Sequence, residues 1–170
     1  CDGEERGQYE TILMPGVFGS VRRYQLNYTV EDPVLREIFN DIRFRKAMSL
    51  AIDRQEVNQT LFYGLGVPRQ YTAPSVTTFF EDWMAEYYAD YDVAEANRLL
   101  DEMGLHWDES RQYRLRPDGQ PLKINLLDGT GSEADITEMV VGYWKDIGVI
   151  AEVRTVSREL LVQREIGRAH

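Results

Sequence analysis

Residues 41–54 read Asp-Ile-Arg-Phe-Arg-Lys-Ala-Met-Ser-Leu-Ala-Ile-Asp-Arg. Phe44, Ala47, Met48 and Ala51 fall at i, i+3, i+4 and i+7, an apolar stripe at helical period. Asp41 is placed to cap the start of this helix. Asp53 ends it and caps the next one, and Glu56 follows three residues later as in a capping box. The stretch predicts two short helices in succession, about 42–52 and 54–63, the first with its stripe turned into a core.

Upstream, Val21–Thr29 has the look of a strand. Tyr24, Leu26 and Tyr28 alternate with Gln25 and Asn27, the period of a half-buried strand. Asp32-Pro33 breaks it and opens a short helix over Val34–Phe39. Residues 1–20 mix charge, Gly and Pro and are read as a leading segment, an edge strand or a linker. Residues 21–170 are read as one domain.

Downstream, Gly64 is expected to terminate the second helix. Residues 64–80 have no clear period and predict a long surface loop, with a helix over 81–88 after it. Asp92 and Glu95 cap a helix to Met103, with Ala96, Leu99, Leu100 and Met103 on its apolar face and Gly104 as its stop. Tyr113–Leu127 reads as a hairpin turning at Pro117-Asp118-Gly119-Gln120, with Ile124 and Leu126 on one face of the return strand. Ser132 caps a long helix to Ile147, followed by a β-branched strand over 149–155 and a last helix over 159–165. A strand, a helix and a second strand in that order form a βαβ unit with parallel strands. The fold class is therefore α/β, a mixed sheet flanked by helices.

The chain has 170 residues, 29 acidic and 19 basic, for a formal net charge of −10. That balance argues against a nucleic-acid partner, which needs clustered positive charge. The single Cys excludes an internal disulfide, and one Cys with two His, His106 and His170, cannot build a zinc site of the usual Cys/His type. No metal and no cofactor is expected. Cys1 has two readings: the point where this stretch of chain starts, or a lipidated first residue as in bacterial lipoproteins.

Several runs, in order, resemble the bacterial solute-binding proteins of family 5, the oligopeptide- and dipeptide-binding receptors of ABC importers. Residues 41–54 follow the family run D-x-R-x-R-x-A-x-x-x-A-I-D-R. Tyr24–Asn27 resembles its Y-x-x-N strand, and Gly64–Pro68 its G-x-G-x-P loop. Tyr91–Gly104 resembles its Y-D-x-x-x-A-x-x-L-L-x-E-x-G helix, Leu115–Leu122 its D-G-containing hairpin, and Trp144–Val149 its W-x-x-I-G-V junction. The resemblance implies one lobe of a type II periplasmic-binding-protein-like fold, a second-lobe fragment whose missing N-terminal lobe lies elsewhere in a longer protein. It further implies a non-catalytic solute-binding component of an ABC transport system, with a peptide or other small molecule as ligand. The implied partners are the permease subunits, and the implied location is periplasmic or extracellular, with a lipid anchor in the full-length protein as one option. A stand-alone α/β hydrolase or transferase is the alternative from another class.

No catalytic residue is assigned. Glu81 and Asp82 are adjacent on a helix and point apart, so they cannot flank one bond. Ser49 has no evident His partner. Gly64-x-Gly66 lacks a third Gly and follows a helix, unlike a dinucleotide fingerprint. Arg43, Arg45 and Lys46 read as the polar face of a helix. Tyr24, Gln25 and Asn27 are the candidate ligand-binding residues, a hydroxyl and two amides suited to hydrogen-bonding a peptide backbone. Tyr63, Tyr71, Phe79, Phe80, Trp83, Tyr87 and Tyr88 are read as core, with cleft wall or lobe contact as the alternative. For a lobe cut from its partner, apolar surface should remain open over 22–28 or 63–88.

Overall fold

Four aspartates set the helix starts of the computed structural model, which describes residues 22–129 and 134–166. Asp32 accepts from the N–H groups of Val34 and Leu35 at 2.9 and 3.0 Å and opens α1 (Pro33–Asn40). Asp41 accepts from Arg43 N–H at 2.8 Å and opens α2 (Ile42–Leu50). Asp53 and Asp92 do the same for α3 (Arg54–Phe62) and, past the short α4 (Asp82–Glu86), for α5 (Val93–Glu102). Each carboxylate satisfies donors that a helix start leaves without a partner. The reciprocal half of the box at α3 is diverted: the Glu56 carboxylate accepts from the Tyr143 hydroxyl at 2.6 Å.

The stripe on α2 packs as expected, with Phe44, Ala47, Met48 and Ala51 buried. α2 lies against α5, whose Ala96, Leu99 and Leu100 are also buried. β1 (Lys123–Asp128), α6 (Ala134–Asp146) and β2 (Ile150–Thr155) form the predicted βαβ unit, with parallel strands in register from Lys123 opposite Ile150 to Asp128 opposite Thr155. Ile124 is buried and Leu126 packs on the same core. Trp144 of α6 ties the halves together, its indole N–H donating to the Met48 carbonyl at 2.9 Å. α7 (Arg158–Ile166) closes the described chain.

Three expectations are corrected. Residues 22–29 form no strand: they run as irregular chain into a turn at 28–29. Among the described residues the sheet holds only β1 and β2, so this segment has no ladder to join. Its alternation survives in packing, since Tyr24 and Leu26 sit against the core while Gln25 is exposed. At the end of α3 the left-handed cap falls on Tyr63, φ 54°, with Gly64 following at φ 74°. The hairpin of 113–127 shrinks to isolated antiparallel bridges, Trp107 with Arg114 and Leu115 with Pro121, around a turn whose Gly119 has φ 79°. Pro121 has no N–H to extend that ladder, and the return arm pairs with β2 instead. The leading segment 1–20 and the Ser132 cap lie outside the described residues.

Among the described residues, one charged side chain has no exposed surface at all. Arg114 is 0 % exposed and donates to the Ile147 carbonyl at 2.8 Å, the Asp101 carboxylate at 2.6 Å and the Asn97 Oδ1 at 2.7 Å, as well as to the Leu105 carbonyl. Its guanidinium lies 5.0 Å from the Trp107 ring centre. Gly148, φ 82°, lets the chain pass beside it, for a Cβ there would meet Arg114 Cγ at 2.7 Å.

Candidate functional site

Residues 22–28, α2, α3, the loop after α3 and α6 enclose an open cleft of about 1850 Å³. Met48, Ile52, Ile136, Val140 and Trp144 supply apolar lining, and Ser49, Asn58 and Gln70 supply polar groups. With Gln25 and several arginines also on its walls, the cleft offers both apolar contact area and directional hydrogen-bond donors to a small molecule or peptide.

Two of the three sequence candidates line the cleft. Tyr24 meets Trp144 edge-on, ring centres 5.2 Å apart, and its hydroxyl donates to Thr137 Oγ1 at 3.3 Å. It therefore anchors the segment on α6 and presents its ring as wall. Gln25 is exposed on the cleft. Asn27 is not among the lining residues; its Oδ1 accepts from the N–H and the hydroxyl of Thr29 at 3.2 and 3.1 Å, closing a local Asx turn.

The loop after α3 is pinned at two points. Buried Asn58 accepts from Gly66 N–H at 2.8 Å and donates back to the Gly66 carbonyl at 3.1 Å. A Cβ at residue 66 would lie 2.7 Å from Asn58 Oδ1, so the backbone approach requires Gly66. Gln70 donates to Ser49 Oγ at 2.6 Å and to the Tyr88 carbonyl at 3.2 Å. Ser49 Oγ donates to that same carbonyl at 2.8 Å and accepts from Arg54 at 2.8 Å. A hydroxyl whose proton is committed to a carbonyl is a structural tie, not an activated nucleophile. Arg54 donates to the carbonyls of Ser49 and Ala89 at 3.0 and 3.1 Å. Burial lowers its pKa from the ordinary guanidinium value, and the Asp90 carboxylate opposes that shift.

Most of the aromatic set is not core, although Tyr88 packs against the core. Tyr63, Tyr71, Phe79, Trp83 and Tyr87 are exposed, Tyr63 by 85 %, and Leu65, Val67 and Val76 of the same stretch are exposed with them. Phe80 and Tyr88 are half-buried. Loop 64–80 has no helical or strand period to aim its side chains inward, so composition alone gave no direction. The open apolar surface expected over 63–88 is present, and Tyr28 extends it at 45 % exposure. Sequence reading weighed Ser49 only as a nucleophile and missed Asn58 and Gln70, which no local pattern marks. It assigned Arg45 to a helix's polar face, whereas Arg45 lines the cleft.

The chain also matches known proteins over most of its length. The bacterial extracellular solute-binding proteins, family 5 middle region, match residues 14–168. An oligopeptide-binding protein OppA from Lactococcus lactis subsp. lactis is 30 % identical over 111 residues, 64 % of this chain and 18 % of that protein. A solved structure of an oligopeptide-binding protein OppA superposes with a TM-score of 0.92 at 42 % identity, covering 98 % of this chain and 26 % of that one. An oligopeptide-binding protein from Thermus thermophilus, solved with a pentapeptide, shares the fold at a TM-score of 0.71 and 22 % identity over 84 % of this chain and 24 % of that one. The chain spans about a fifth to a quarter of the length of these relatives.

Proposed function

This chain belongs to the bacterial extracellular solute-binding proteins of family 5, and from that membership we propose that it is part of one lobe of a peptide receptor. In this reading residues 21–170 form the greater part of a lobe that closes on a second lobe, burying a peptide between them without chemical change. The receptor sits in the periplasm or outside the cell and delivers its ligand to the permease subunits of an ABC importer. The observation that carries the reading is the open cleft, lined by Tyr24, Gln25 and Gln70 and bordered by exposed apolar side chains from Leu65 to Tyr71. Hinge closure is the movement by which two such walls enclose a ligand.

A site that buries most of its ligand loses much of its contact area when one wall is removed. The isolated chain should therefore bind short peptides on the order of a hundredfold more weakly than the full-length protein, or not measurably. Calorimetric titration of both proteins with one peptide set tests this. Equal, tight binding by the isolated chain would remove the two-lobed reading.

A further inference from the structure

Among the described residues the cleft is lined by five arginines, Arg22, Arg23, Arg45, Arg54 and Arg69, and by no Asp or Glu. The chain as a whole runs the other way, with 29 acidic against 19 basic residues. Two of the five are occupied. Arg22 pairs with the buried Asp128 at 3.1 Å, and Arg54 is spent on the carbonyls of Ser49 and Ala89. The other three make their hydrogen bonds and ring contacts with uncharged side chains, though Arg45 also lies in the field of the Asp41 carboxylate. Arg23 donates to the Tyr71 hydroxyl at 2.9 Å and lies 5.3 Å from that ring's centre. Arg45 donates to the Tyr28 hydroxyl at 3.1 Å and lies 5.4 Å from its ring. Arg69 lies 5.9 Å from the Phe80 ring. Among the described residues none of the three forms an ion pair with a carboxylate.

An aromatic ring holds a guanidinium by its face and does not neutralise it. The rigid fork of N–H donors remains available for a planar anion, and carboxylate fits it in a bidentate manner. A cleft lined by charge of one sign also focuses its field, which raises the local concentration of the opposite ion. We propose that this cleft selects peptides through their carboxylates, so that acidic peptides are its preferred ligand class. The inference rests on the peptide-receptor reading and adds the sign of the ligand's charge to it.

The test uses the full-length protein and four short peptides of equal length. One is neutral with an amidated end, one neutral with a free carboxyl end, one Glu-containing with an amidated end, and one Lys-containing with an amidated end. The Glu-containing peptide should bind about tenfold tighter than the neutral amidated one, and the Lys-containing peptide weakest, with the gap narrowing as salt rises. A gain from the free carboxyl end alone would assign the arginines to the peptide terminus; a gain from Glu assigns them to side chains. Only the gain from Glu supports the inference; a gain confined to the free carboxyl end would overturn the preference for acidic peptides. Arg23→Gln, at an exposed side chain, should reduce the gain by about threefold. The Arg23→Gln/Arg45→Gln/Arg69→Gln variant should erase it. Equal binding of all four, or preference for Lys, would overturn the inference and leave the receptor reading intact. No binding of any peptide would overturn that reading and the inference with it.

Discussion

Ala47→Asp is expected to leave the chain unfolded at room temperature. Ala47 is 0 % exposed on the face of α2 that meets α5, where Ala96 is likewise 0 % exposed. Ala47 and Ala96 belong to one buried cluster with the apolar Phe44, Met48 and Leu100, so a larger, charged side chain at 47 must displace packed atoms. A carboxylate there has neither a partner nor water, a cost that together with overpacking comes to about 5 kcal/mol. That is comparable with the whole stability of a domain this size. Circular dichroism and thermal melting of the variant should show no cooperative transition. A melting temperature close to that of the parent chain would mean that this face of α2 is open to solvent.

Arg114→Met should be nearly as damaging, through the opposite route. Methionine fills much of the volume, but the carbonyls of Ile147 and Leu105 and the Asn97 amide lose the donor they share. Leaving several buried acceptors unmatched costs about 3 kcal/mol or more. The Asp101 carboxylate is half exposed and can return to water, so it adds little to that cost. The urea midpoint should fall sharply while the slope of the transition stays as it was. A variant that unfolds at the parental midpoint would show that the guanidinium is dispensable to the junction of α5, the 105–122 segment and the turn before β2.

Local grammar made much of this fold legible. Asp41, Asp53 and Asp92 could be placed as caps because a carboxylate next to an apolar period has one economical role there. The stripe on α2 and the βαβ unit followed from periodicity, and both stand in the structure. Features decided by distant partners could not be read. Residues 22–28 have a strand's alternation but, among the described residues, no neighbouring strand, and Tyr24 packs on Trp144 instead. The loop aromatics looked like core because aromatic residues usually bury, and only the folded chain shows Tyr63, Phe79 and Trp83 turned outward. Nothing local marks Arg114 as interior; its burial goes with Gly148, far along the chain, where a Cβ would meet the Arg114 side chain. In the cleft, Tyr24 and Gln25 were found from a strand-like run, whereas Arg23, Arg45 and Arg69 come from three separate segments and share a site only in the folded chain.

The central claim is that this face is one wall of a peptide site. Hydrogen–deuterium exchange on the full-length protein, with and without a bound peptide, tests it most directly. Bound peptide should slow exchange at the backbone amides of 22–28 and of the loop from 64 to 72, while α5, already in the core, changes little. Protection confined to residues outside this chain, with 22–28 and 64–72 exchanging as in the free protein, would contradict the account.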